Sequence, residues 1–404
     1  MKRVEIAGRH ILLATVDGEP GAGGAAPMSG PGKAPQPDPA AEMRSIIKRI
    51  ATGPELSKDI SRDEAREGMS FVLDGRVDPV QAGVFLIALR MKRETDDENL
   101  GILDALRRAT QAVTAPVDEV LQIGDPYDGF NRTLPASPFL PAVLAACGVA
   151  SVSHGVERMG PKYGVTHRQV LQAAGVSVDL GPEQAAARLG EPELGWAYVD
   201  QEAFCPKLYR LAALRTLIVK RAALTTVEVM VCPLRGRVRS HLVTGYVHKA
   251  YPRIYALLAR QAGFASALIV RGVEGGVTPS PRQAGKAFHY SDGGEERPWD
   301  FVPADFGVEK SLQGTQVPER LPKARLEGEL AGERLDTAAA AKLAAEAGLD
   351  ALKGQPGPAR DDLVCSGALC LRHLERHGSL KDAANAVREA LDSGRAHDRL
   401  QRAR

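Results

Sequence analysis

Between a strand-like run, VDEVLQI (117–123), and a helix-like one, FLPAVLAACG (139–148), lies Gly124-Asp125-Pro126-Tyr127-Asp128-Gly129. In a strand–loop–helix passage of this kind backbone N–H groups can cradle a phosphate, and glycines let the chain approach the anion. This loop keeps its outer glycines, but its centre holds two carboxylates, a proline with no N–H and a bulky tyrosine. For unit charges 4 Å apart, the repulsion between Asp125 and an incoming phosphate is about 4 kcal/mol at an effective dielectric of 20. Two other chemistries stay open. Asp125 and Asp128 could hold a hard cation such as Mg²⁺, or the segment could be a turn built on Asp-Pro and Asp-Gly.

A second group of residues is defined by charge. From Cys205 to Arg253 the chain carries ten cations (Lys207, Arg210, Arg215, Lys220, Arg221, Arg235, Arg237, Arg239, Lys249 and Arg253) against one acid, Glu228. Arg235, Arg237 and Arg239 alternate, so on an extended segment they project to one side. Such a stripe suits a polyanion, nucleic acid above all, neutralised by several Lys and Arg contacts. The alternative is a solvated loop balanced by the acids between 292 and 309. The five cysteines (147, 205, 232, 365 and 370) form no C-x-x-C pair and no His/Cys ligand cluster. They read as reduced thiols of a cytoplasmic protein without structural zinc.

The elements that must position these groups fall into two kinds. The chain has 404 residues, 44% hydrophobic and 25% charged, with a formal charge of +2, enough for two domains with substantial cores. No apolar run approaches the ~20 residues of a membrane span, so no membrane partner is expected. Residues 1–14 suggest a strand. The Gly-, Pro- and Ala-rich stretch that follows cannot offset its ordering entropy, which makes 1–41 a flexible extension. Four amphipathic helices are expected across 42–119, with N-caps at Ser61 (a capping box with Glu64), Asp78 and Thr95. From about Val120 short β-branched runs (VASVSHG, GVSVDL, GWAYVD, HLVTGYV, ASALIVRG) alternate with helical ones. That is an α/β domain, 120–202 and 223–404, with a mainly parallel central sheet. A hairpin is expected around Gly293-Gly294, and a helical carboxy-terminal segment with Ser379 as an N-cap.

These residues resemble the anthranilate phosphoribosyltransferase family and, more broadly, the superfamily that includes the pyrimidine nucleoside phosphorylases. LDGRVDPVQAGVFLIALRMKRETDDENLG (73–101) is similar to its helical-domain signature and HGVERMGPKYG (154–164) to its HGN…KSG loop. GGEERPWDFVPADFGV (293–308) is similar to its late hairpin and PEDFGL turn. GPARDDLV (357–364) and AVREALDSGRA (386–396) resemble its last helices, and the likeness is collinear from Ile46 to Leu400. The resemblance implies a helical domain completed by about 203–222, an α/β domain beside it, a cleft between them and a homodimer formed through the helical domain. It also implies transfer of a pentosyl or phosphoribosyl group from an anionic sugar donor.

Residue by residue, the resemblance points to Gly124, Asp128, Gly129, Asn131, Thr133 and Lys162 for phosphate and sugar, and to His154, Gly155 and Arg215 for the acceptor. The departures are equally specific. The family's glycine loop, G-T-G-G-D-G, reads G-D-P-Y-D-G here; Val156 replaces the asparagine that meets the acceptor. The family's Asp-Glu metal pair aligns with Val277 and Thr278, which leaves Glu274 as the one nearby carboxylate, so Mg²⁺ is not firmly implied and no metal ligand is assigned. Three readings follow. The first is a transferase with a remodelled phosphate site and an unknown acceptor. The second is a non-catalytic nucleic-acid-binding dimer, as in one branch of the superfamily, using Lys207, Arg210, Lys220, Arg221, Arg235, Arg237 and Arg239. The third is the ordinary tryptophan-pathway enzyme. The altered loop and the missing metal pair are similar to that branch and place the third reading last; the family description places the first narrowly ahead of the second.

Overall fold

Local sequence sets the helices. Ser61 and Thr95 accept from the backbones of Glu64 and Glu98, whose carboxylates return the bond in capping boxes, and Asp78 caps Val80 ahead of Pro79. The four helices are Pro39–Ile50, Arg62–Leu73, Pro79–Lys92 and Asp96–Ala109, the first starting three residues before the expected Glu42. The structure, a computed structural model, describes residues 2–6, 9–13, 38–53, 55–308, 315–319, 321, 323–326 and 332–404. The Gly/Pro/Ala stretch expected to be flexible lies, for residues 14–37, outside the described residues. The first segment forms an antiparallel pair, Lys2–Ile6 with Arg9–Leu13, rather than one strand, and belongs to a separate unit, Met1–Asp38.

Residues Pro39–Arg404 form the other unit. Its seven-stranded sheet runs in the order Arg297–Phe301, Gly285–Tyr290, Ser266–Arg271, Arg239–Tyr246, Glu119–Gly124, Ser151–Gly155, Trp196–Asp200. The last five are mutually parallel; the hairpin 285–301 adds two antiparallel strands at one edge. GVSVDL does not join the sheet. Val176, Val178 and Leu180 are buried while Ser177 and Asp179 are exposed, so the alternation is real, but no neighbouring strand pairs with it.

The pleat divides the core. Val120, Val152, Ala197, Val199, Leu242 and Ile269 pack toward the four helices and the helix Tyr251–Ala262; Leu121, Ile123, Trp196, Tyr198, Val243 and Leu268 pack toward the helices Leu140–Ala146 and Pro358–His373. The helix Ala212–Ile218 lies on Pro79–Lys92, where Leu214 and Ile218 sit over Gly83. Among the described residues no helix is long and apolar enough to cross a membrane.

Candidate active site

The strand Glu119–Gly124 is flanked by Ser151–Gly155 on one side and Arg239–Tyr246 on the other, so the chain winds away from it in both directions. Its carboxyl end is thus the switch point of the sheet, where open α/β sheets bind ligands. There Thr244 donates its hydroxyl to the Gly124 carbonyl at 2.7 Å. A cavity of about 280 Å³ opens, walled by Pro126, Asp128, Tyr246, Tyr251, Tyr255 and Glu274 among others. Arg90 joins the helical part to this wall by donating to Tyr251 Oη at 2.9 Å and Thr226 Oγ1 at 2.7 Å.

The loop 124–129 is a built structure whose polar groups turn inward. Asp125 is buried and accepts from Ser137 Oγ at 2.5 Å and from the Val277 N–H at 2.7 Å. His167 Nε2 lies 2.7 Å from the same carboxylate, so that nitrogen carries the proton. Burial pushes the Asp125 pKa up, but His167, Ser137 and the Val277 amide outweigh it and hold the carboxyl below its ordinary value. Asp125 therefore does not face the cleft as the sequence suggested. It ties the loop to two distant segments.

Tyr127 points the other way, also buried, its hydroxyl 2.5 Å from His154 Nδ1. The His154 ring stands edge-on between Tyr127 and Phe204, and burial lowers its pKa to about 3. An imidazole so enclosed meets no acceptor directly. Gly155 lies below it against Tyr198. Arg215 is buried too, donating to both oxygens of Glu228 at 2.6 and 2.8 Å. The one acid of the basic segment thus neutralises the arginine that the resemblance assigned to an acceptor carboxylate.

The outer glycines serve loop packing. Gly129 has φ 73°, and a side chain on it would lie 2.6 Å from the Gly164 carbonyl. The two loops zip together through Phe130–Val165 backbone bonds at 3.0 and 2.8 Å. This brings Lys162 between two carboxylates, 3.7 Å from Asp128 and 3.7 Å from Glu274. Arg221 holds Asp128 from the other side at 2.7 Å.

The densest set of donors lies just past the loop. The N–H groups of Asn131, Arg132 and Thr133 converge on the Glu274 carboxylate at 3.0, 2.8 and 3.0 Å, and the Thr133 hydroxyl adds a fourth bond at 3.1 Å. Three successive amides aimed at one anion form a nest. Asn131 Nδ2 donates to the Lys162 carbonyl at 3.2 Å, bracing the nest against the lysine loop. Val277 is buried, and Thr278 accepts from the Ser366 hydroxyl at 3.2 Å. Among the described residues no three His, Cys, Asp or Glu side chains are grouped to hold a metal. Of the nearby carboxylates, Asp125 and Glu274 each accept several internal hydrogen bonds.

The arginine stripe is not continuous. A bend at 237–238 interrupts the alternation of Arg235, Arg237 and Arg239. The segment also sits at the amino end of the strand Arg239–Tyr246, whereas the cleft lies at its carboxyl end. Arg239 pairs with Asp292, Lys207 with Asp74 and Arg253 with Asp96, so the acids elsewhere on the chain do part of the balancing. Arg210, Lys220 and Arg237 are exposed on different loops.

The resemblance pointed to Asn131, Thr133 and Lys162 but not to Glu274, the carboxylate they surround. It also missed Ser137, His167, Glu228 and the tyrosines of the cleft. Only the Gly-flanked Glu274, standing alone where a metal pair was expected, carried a visible signal.

Comparison with known proteins agrees with this architecture. Residues 44–110 match the helical bundle domain of a glycosyl transferase family and residues 116–397 match its α/β domain. The anthranilate phosphoribosyltransferase of Rhodopseudomonas palustris (strain BisA53) is 28% identical over 362 residues, 89% of this chain and 96% of the relative. Two solved structures share the fold. The anthranilate phosphoribosyltransferase of Thermus thermophilus has a TM-score of 0.67 and 21% identity over 89% of this chain and 97% of its own. The Saccharomyces cerevisiae enzyme, in complex with PRPP and Mg, has a TM-score of 0.68 and 16% identity over 89% of this chain and 96% of its own.

Proposed function

The chain belongs to the glycosyl transferase family that includes the anthranilate phosphoribosyltransferases, and from that premise we propose that it transfers a pentosyl or phosphoribosyl group to an acceptor not yet identified. The observation that carries this reading is the anion nest of Asn131–Thr133 with the Thr133 hydroxyl and Lys162. It opens beside a tyrosine-walled cleft at the switch point of the sheet. In such a transfer the bond from the sugar's anomeric carbon to its leaving oxygen breaks, the electron pair leaves with the anion, and an acceptor nucleophile bonds to the same carbon. Preorganised amides and a lysine stabilise the charge that develops on the leaving group. Asp128 lies at the cleft wall, where its carboxylate orients Arg221 and Lys162.

We further propose that magnesium does not form part of this site in the family's manner. Val277 and Thr278 offer no carboxylate, while the Asp125 and Glu274 oxygens are taken up by internal donors. The residues present do not fit the ion. Calorimetry with phosphoribosyl pyrophosphate and with ribose 1-phosphate, each with and without Mg²⁺, tests the donor. Release of pyrophosphate or phosphate on adding aromatic carboxylates, amines and nucleobases tests the acceptor. Binding of either donor without a magnesium requirement is expected; absence of binding by both would remove the reading.

A homodimer through the helical bundle is part of the same proposal. Leu56, Val80, Met91, Leu217 and Val219 are exposed large apolar residues on or beside those helices, and covering them with a second copy would remove that apolar area from water.

A further inference from the structure

We propose that Glu274 is an internal competitor for the anion nest, so that an anionic ligand enters by exchanging with this carboxylate rather than by filling an open site. The inference rests on the reading of the nest as an anion site and adds how that site is controlled.

Four features support it. The Glu274 side chain is only 3% exposed and receives three amides and a hydroxyl, the donor set an oxyanion of a ligand would need. Its backbone sits at φ 54°, ψ 15°, a left-handed conformation that a glutamate adopts at some cost. The loop cannot relax that angle by shifting. A side chain on Gly272 would meet the Gly276 carbonyl at 1.6 Å and one on Gly245 would meet it at 2.0 Å, so 272–276 is pinned against the strand below. The carboxylate is thus delivered to the nest by a fixed turn, and only its side-chain torsions can withdraw it.

There is room for withdrawal. Glu274 lines both the 280 Å³ cleft and a second cavity of about 200 Å³ that also carries Arg132 and Arg271. Moving into the cleft brings it toward Asp128, a like charge, and toward cations that already have carboxylate partners, Arg221 with Asp128 and Arg90 with Glu94. Moving into the second cavity brings it among cations, so that cavity is the resting place of the displaced side chain. A phosphate dianion carries more charge than the carboxylate it replaces and gains more from Lys162. It can therefore win the exchange, whereas a small monoanion cannot.

The test is a calorimetric titration of the full chain with inorganic phosphate at pH 8, where the dianion predominates. Glu274→Gly suits the left-handed angle and removes the carboxylate; Glu274→Gln keeps the side-chain volume without the charge. We expect Glu274→Gly to bind phosphate at least tenfold more tightly than the parent, with Glu274→Gln between them. Adding Lys162→Ala to either variant is expected to reverse the gain. Phosphate affinity unchanged in both variants, or a gain that survives Lys162→Ala, would overturn the proposal. Should the glycine variant not fold, the glutamine variant decides on the same criterion. The transfer assay separates the two ideas. A phosphate gain with no transfer by any variant leaves the competitor standing and removes the transferase reading. Transfer by the parent with no phosphate gain does the reverse.

Discussion

At the scale of single residues, this cleft is organised by charges that answer one another within the chain. Arg215 and Glu228 are fully desolvated partners, and removing one member of such a pair leaves the other uncompensated. Glu228→Ala is therefore expected to cost about 3–5 kcal/mol in urea unfolding, a much larger effect than loss of the exposed Arg253–Asp96 pair, which should cost less than about 1 kcal/mol. Asp362 is the opposite case, a buried carboxyl with an unpartnered oxygen, pushed up to about 8 by burial and by neighbouring Asp361. Its folded pKa lies above the unfolded value near 4. Its contribution is fully present below that value and is lost as pH rises through about 8. Asp362→Asn should therefore gain stability over the parent, by an amount that grows between pH 4 and pH 8 and then levels off. A difference in urea midpoints that stays flat across this range would contradict the assignment.

At the scale of elements, close approach decides what the chain tolerates. Gly101 lies where the helices Arg62–Leu73 and Asp96–Ala109 touch; a Cβ there would sit 2.3 Å from the Arg62 carbonyl and 2.7 Å from Ala65 Cβ. The obstructing atoms are mostly backbone, which cannot rotate aside. Gly101→Val is expected to lower stability by about 1–3 kcal/mol or more through overpacking, read as a drop in melting temperature with unchanged helical circular dichroism at low temperature. The capping boxes and the Pro79 start were legible beforehand because each depends on residues three apart or fewer. GVSVDL was misread for a related reason. Its period-two burial is local, whereas membership of the sheet requires a neighbouring strand in space.

At the scale of the whole molecule, five of the ten cations of 205–253 are answered by acids of the chain. Their partners Asp74, Asp96, Asp128, Glu228 and Asp292 come from five separate segments, and the formal charge is only +2. With half of the cations already paired within the chain, fewer counterions would be released from DNA. Binding to labelled single- or double-stranded DNA is expected to be weak at about 150 mM salt. Tight binding abolished by Arg235→Ala, Arg237→Ala and Arg239→Ala together would instead restore the nucleic-acid reading. For the assembly, sedimentation should show a dimer, and Met91→Glu with Leu217→Glu should shift it toward monomer; a parent that sediments as a monomer would contradict the dimer.

Composition, periodicity and motif order by themselves determined the class of this protein: capped helices followed by an α/β domain, with a strand–loop–helix passage at 117–148 where ligand chemistry belongs. The family resemblance pointed to Asn131, Thr133 and Lys162. Side-chain partnerships were decided only by the tertiary structure. Asp125 reads as a charge facing the ligand until His167, Ser137 and Val277 are brought to it from positions 42, 12 and 152 residues away. Glu274 reads as a leftover acid until the turn at 272–276 delivers it to amides more than 140 residues distant. A carboxylate's role depends on which donors surround it. Those donors are set by packing across the chain, not by neighbours along it.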